Sequence, residues 1–174
     1  IPSIVAGLFA YALFALLFGP GVRMGLGGAV ALSLLMIPIV VRSCEEMLRL
    51  VPGDLREAAY ALGVPQWRTV LRVVLPTALP GIITGIMLAV ARVAGETAPL
   101  LIIAGSTDSV NVNLFAERMM TLPVFIYYSY TQPGVPATYG QHRAWGAALV
   151  LIVIVMALNL LARLVGRLFT GKAR

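Results

Sequence analysis

Four long apolar runs, at residues 2–19, 24–41, 80–104 and 145–162, alternate with segments where the charges gather. A helix needs about 20 apolar residues to cross a bilayer, and runs of 17–25 are in range. The first run carries no charge, and the second is bounded by Arg23 and Arg42. The third is interrupted only by Arg92 and Glu96, and the fourth has Asn159 as its one strongly polar residue. Gly19-Pro20-Gly21 predicts a tight turn between the first two. A charged, helix-forming island at 42–72 separates the second run from the third. A polar connector at 105–144, with short amphipathic pieces, separates the third from the fourth. The pattern predicts an all-α polytopic membrane protein with four transmembrane helices.

Composition agrees. The chain is 60% hydrophobic and 11% charged, with a mean hydropathy of +0.94. A soluble domain carries about a quarter charged residues. This chain lacks the polar surface to face water all round, so lipid is its main solvent. The formal charge of +6 then points to basic cytoplasmic segments, and no nucleic-acid partner is expected. Cys44 has no partner for an internal disulfide and reads as a packed small residue. His142 has no second ligand at suitable spacing, so no metal site is expected. No Ser/His/Asp or Cys/His set can be assembled, and no glycine-rich cradle with a lysine is present to hold ATP. An enzyme is therefore not expected. The missing initiating Met and basic-flanked leader raise the expectation that the chain starts partway through a longer protein.

The basic residues set an orientation. With the island inside, the inner side carries Arg42, Arg49, Arg56, Arg68, Arg72, Arg163, Arg167, Lys172 and Arg174. The outer side carries Arg23, Arg118 and Arg143. This asymmetry places the island and the C-terminus in the cytoplasm and the long connector outside. Tyr127, Tyr128, Tyr130 and Trp145 fall where an interfacial aromatic belt is expected.

Within the island, Asp54 reads as an N-cap and Glu57 completes a capping-box-like arrangement. Gly63 is placed to end that helix in a left-handed turn, and Pro65 to open a second helix carrying Trp67, Arg68, Leu71 and Arg72. A helix of about two turns is unstable alone in water, so it must pack against something. Ala58, Ala59, Ala61 and Gly63 leave a small-sided surface open to close approach.

In the third run, Pro80 suits a helix start and Pro99 a bend or end. An unbroken helix over 80–104 would extend about 37 Å, with Arg92 near its middle. A cation at that depth costs several kcal/mol unless it faces protein, water or a counter-charge. Glu96, one helical turn on, can pair with it. Gly81, Gly85, Ala89, Arg92 and Glu96 share one helical face, and Gly81-x3-Gly85 is a close-packing signature. Two roles stay open for the charges. They form a self-neutralising pair that fixes packing, or Arg92 is an anion site held in place by Glu96. A guanidinium can give an oxyanion two parallel hydrogen bonds and keeps its charge when dehydrated.

Glu57-Ala58-Ala59, Gly63, Val73 and Leu75-Pro76 form the pattern E-A-A-x3-G-x9-[IV]-x-L-P, seven positions over twenty residues. This resembles the cytoplasmic "EAA" loop of the membrane subunits of ATP-binding-cassette importers. Val73 replaces the more usual isoleucine. The segment from Ala91 to Leu100, Arg-Val-Ala-Gly-Glu-Thr-Ala-Pro at its centre, resembles the phosphate-specific permeases of the PstA type. Further matches in family order are Pro2 to Gly7, Leu35 to Arg42, Met47 to Pro52, and Leu122-Pro123-Val124 with Ile126-Tyr127.

The resemblance implies the core of a type I ABC importer permease, with a coupling loop at 42–75 and an extracytoplasmic connector at 105–144. Glu57, Ala58, Ala59 and Gly63 would couple to the ATPase. Arg42 at the cytoplasmic mouth and Arg92 with Glu96 in the span would line the substrate path. Implied partners are a second, PstC-like permease, two PstB-like ATPase subunits that hold ATP–Mg, and a PstS-like extracytoplasmic phosphate-binding protein. No cofactor is expected in this chain. The implied location is the cytoplasmic (inner) membrane of a prokaryote. Permeases of this type have six spans, so the first two are expected to be absent from this sequence. Two alternatives stay open: a permease for another oxyanion such as sulfate, and a truncated regulatory or assembly protein that moves no solute.

Overall fold

The computed structural model describes residues 2–170, with side chains described as far as Gly166. Eight α-helices and one π turn follow in the order α1 (Ser3–Phe18), α2 (Gly25–Arg49), α3 (Gly53–Ala61), α4 (Gln66–Thr69), the π turn (Val70–Val74), α5 (Leu75–Val93), α6 (Ala98–Ile103), α7 (Leu122–Thr131) and α8 (Ala137–Thr170). Among the described residues, three continuous helical stretches are long and apolar enough to cross a membrane: Gly25–Arg49, Gln66–Val93 and Ala137–Gly166. The expected first span is shorter. Helix α1 has 16 residues, about 24 Å at 1.5 Å per residue, against a hydrocarbon core of about 30 Å. Gly19, at φ 99°, stops it at the predicted turn.

The third span is displaced from its expected limits. Pro80 is interior to α5 rather than its start, and the helix is continuous back to Gln66. A proline ring clashes with the carbonyl four residues before it, and the wider π turn just ahead of Pro76 relieves that crowding. At the other end, Pro99 would clash with the Gly95 carbonyl in a continuous helix. The chain leaves the helix after Val93 and turns, with Glu96 N donating to Val93 O at 3.1 Å. It re-enters as α6, with Pro99 in its first turn where the missing N–H costs nothing. The fourth span is longer than its apolar run, since α8 begins within the expected connector.

The chain folds as two compact units. Unit 1 comprises Ile1–Ile37 and Arg92–Met156. Its core joins Ala10 and Phe14 of α1, Met24 and Ala31, and Ile103 of α6. A second cluster joins Leu100 and Ala104 to Val124 of α7. A β-carbon on Gly7 would lie 2.6 Å from the α-carbon of Pro99, so only glycine lets α1 approach α6 this closely. Met24 N donates to Ile103 O at 3.1 Å, which ties the turn before α2 to the end of α6, and Met119 N donates to Ala104 O at 3.1 Å, which ties the connector to the residue just after α6.

Unit 2 comprises Pro38–Ala91 and Ala157–Arg174. Val51, Val74 and Ala78 form its core, with Met47, Leu48 and Ile82 packed around them. Gly81 faces Met47 and Gly85 faces Ser43 with no space for a β-carbon. The small-residue face of α5 is therefore packed on α2, as the glycine spacing predicts.

Helix α8 shows which solvent it meets. Trp145, Leu149, Ile152, Val153, Met156 and Leu160 are all exposed, which a chain surrounded by water does not tolerate along one continuous helix.

Candidate functional site

The loop at 50–66 is built on α3. Its N-cap is Pro52, with no side-chain cap hydrogen bond, so the expected Asp54–Glu57 capping box does not form. Asp54 sits in the first turn instead, where a carboxylate favours the positive end of the helix dipole. Arg56 anchors α3 by donating Nη2–H to Leu48 O at the end of α2, 3.1 Å away. Gly63 has φ +72° and supplies the expected left-handed turn, with Gly63 N on Tyr60 O and Val64 N on Ala59 O. Pro65 caps α4 rather than opening it.

Helix α3 packs on α4 and the π turn. Ala59 is its buried residue, while Glu57, Ala58 and Gly63 are exposed. The four motif residues thus divide: three present a surface and Ala59 holds α3 against its own chain. Sequence reasoning missed the apolar part of that surface. Leu62 is 83% exposed at the tip and Trp67 59%, with Tyr60 beside them also exposed. Arg68 stacks over the Trp67 ring at 5.0 Å. A leucine immediately before a helix-ending glycine was the available signal for Leu62.

The charges of the third span are arranged differently from the sequence expectation. Arg92 is exposed in the last turn of α5, where its charge complements the negative helix end. Glu96 is half-buried in the break between α5 and α6 and forms no ion pair with Arg92. The i,i+4 geometry that would join them requires a helix that has already ended. Arg92 also departs from the packed face: Gly81, Gly85 and Ala89 face protein, and Arg92 does not.

Arg42 bonds Glu46 at 3.2 Å and Arg49 bonds Glu45 at 2.6 Å, both exposed pairs on α2. Such exposed pairs contribute at most about 1 kcal/mol, so neither holds its arginine firmly. Lys172 and Arg174, counted in the orientation argument, lie outside the described residues, as does the Arg167 side chain. Unit 2 also holds a cleft of about 1180 Å³ with Ser43, Arg72 and Arg163 in its wall, residues to which sequence reasoning gave no common site.

Long, apolar helices with lipid-compatible surfaces mark a multi-pass membrane protein. The chain belongs to the family of binding-protein-dependent transport system inner membrane components, which matches residues 1–174. It is 48% identical to the phosphate transport system permease protein PstA 1 of Mycobacterium tuberculosis, over 100% of this chain and 55% of that protein. It is 45% identical to the phosphate transport system permease protein PstA of Xylella fastidiosa, over 93% of this chain and 55% of that one. For the protein of the same name from Yersinia pestis the values are 43%, 94% and 54%. The chain thus spans about half the length of the curated relatives it matches. No solved structure matches it.

Proposed function

We propose that this chain is the permease core of an ATP-driven importer that moves inorganic phosphate across the cytoplasmic membrane of a prokaryote. The observation that carries this reading is the similarity, along its whole length, to proteins named as phosphate transport permeases. It works with a second permease, two ATPase subunits and an extracytoplasmic phosphate-binding protein. ATP–Mg is bound and hydrolysed by the ATPase subunits, and this chain carries no cofactor. The island at 42–72 and the C-terminus face the cytoplasm.

Each residue has a role set by its chemistry. The exposed surface of Glu57, Ala58, Gly63 and Leu62 docks the ATPase, and Ala59 makes that surface rigid by packing inward. Closure of the ATPase pushes α3, and Arg56 passes the push to the end of α2 through its bond to Leu48. Arg92 receives the anion with its planar two-donor fork. Glu96, unpaired and near in sequence, keeps the local charge low enough for the anion to leave. Arg42 exchanges Glu46 for the anion at the cytoplasmic mouth. Alternating exposure of these groups moves the anion inward.

The test is ATP-dependent uptake by the assembled complex in proteoliposomes, with labelled phosphate and labelled sulfate in separate runs. Phosphate uptake that sulfate does not compete with is the expected result. Sulfate uptake at an equal rate would replace the substrate, and no uptake of either anion would remove the transport reading.

A further inference from the structure

The cleft in unit 2 has a composition that calls for an anion. Arg72, at the π turn, and Arg163, near the end of α8, both stand in its wall. No Asp or Glu lines it, and neither arginine forms an ion pair among the described residues. The nearby carboxylates of α2 are already engaged, Glu45 with Arg49 and Glu46 with Arg42. The rest of the wall is mostly apolar, and both arginines are exposed, so their guanidinium groups are open to a ligand.

The hydroxyls sharpen the picture. Thr77 Oγ1 donates to Val73 O at 2.6 Å and Thr84 Oγ1 to Pro80 O at 2.9 Å, so neither offers its proton to a ligand. Ser43 Oγ makes no such bond among the described residues and lies against Gly85 at the cleft wall. The donors available are therefore two guanidinium forks and one hydroxyl. That set matches a tetrahedral oxyanion, whose several oxygens accept from more than one donor.

We infer that the cleft formed by Ser43, Arg72 and Arg163 is a binding site for a phosphate group. Two sources carry that chemistry: free inorganic phosphate and the headgroup of an anionic phospholipid. Arg72 ties the site to the coupling loop, since the π turn that carries it packs on α3. Occupancy of the cleft thus bears on a segment packed against α3. The site does not depend on the transport reading, because binding is measured directly.

The test compares the assembled complex with its Arg72→Gln/Arg163→Gln variant in nanodiscs. Equilibrium binding of labelled orthophosphate is measured in pure phosphatidylcholine, and retained phosphatidylglycerol is measured by native mass spectrometry from mixed bilayers. Loss of both guanidinium groups is expected either to remove one bound orthophosphate per copy of this chain, leaving any anion held by Arg92 or Arg42, or to lower retained lipid by about 10-fold or more. Arg72→Lys/Arg163→Lys is expected to keep part of it, through charge without the planar fork. A fall in orthophosphate binding identifies the free anion as the ligand, and a fall in retained lipid alone identifies the headgroup. Wild-type levels of both in the double variant overturn the site. Should that variant not assemble, Arg72→Gln and Arg163→Gln are read singly, each expected to lose about 3-fold or more, and again wild-type levels overturn the site. Absence of ATP-dependent uptake by the wild-type complex would bear on the proposed function and leave this site standing.

Discussion

Gly85 of α5 lies directly against the Ser43 hydroxyl of α2, with no room for a β-carbon between them. The contact fixes how closely the two helices meet. Without a hydrophobic drive in lipid, such close backbone approach is the main source of helix–helix attraction. Gly85→Leu is therefore expected to destabilise the subunit by about 1–3 kcal/mol through overpacking. Gly85→Ala combined with Ser43→Gly is expected to restore wild-type thermal stability in detergent. An unchanged melting temperature for Gly85→Leu would show that α2 and α5 do not meet there.

Orientation is checked by labelling in a Cys44→Ala background, since Cys44 is the free thiol of the chain. A cysteine at the exposed Gln66 is expected to react only with reagent on the cytoplasmic side. One at the exposed Gln132, which caps α7, is expected to react only from outside. Labelling of the Gln66 position from outside reverses the orientation and removes the proposed dock.

Leu62 and Ala59 separate docking from folding. Leu62→Ser removes an apolar group exposed at the tip of the loop and is expected to weaken ATPase association by roughly 2 kcal/mol, about 30-fold. The stability of the subunit itself should not change. Ala59→Leu is expected to do the reverse, lowering thermal stability because Ala59 is buried. Equal co-purification of the ATPase with wild type and Leu62→Ser would exclude this surface as the dock.

Gly63 tests the turn itself. With φ +72° and open space around it, Gly63→Ala meets no neighbour and suffers only backbone strain, about 1–2 kcal/mol. Gly63→Asn, which tolerates the left-handed region better, is expected to lose less. A thermal melt in which Ala and Asn behave alike would point to a role other than the turn.

Arg92 tests the substrate path. Arg92→Gln is expected to abolish phosphate uptake at matched complex abundance, and Arg92→Lys to restore it only in part. Because no ion pair joins Arg92 to Glu96, the variant Arg92→Gln/Glu96→Gln is expected to remain inactive and as stable as Arg92→Gln alone. Near-normal uptake by that double variant would reduce the two charges to a structural role.

Much about this protein was legible in the sequence because it is a local or additive property. Mean hydropathy and the lengths of the apolar runs determine the solvent, since each residue contributes its own transfer energy. The left-handed turn at Gly63 and the break at Gly19 follow from the backbone freedom of single residues. The close packing of Gly81 and Gly85 follows from their helical spacing. Other features depended on which backbone bonds the neighbours could replace. Pro80 reads as a helix start, yet it is interior. Pro99 reads as a bend, yet it moves the break upstream and takes Glu96 off the helical face of Arg92. Tertiary structure alone decided that Ala59 turns inward while Leu62 turns out, because the EAA pattern does not say which side of α3 meets its own chain. It alone brought Ser43, Arg72 and Arg163 to one cleft. These residues are distant in sequence, and only the packing of α2, the π turn and α8 within unit 2 gives their charges a common space.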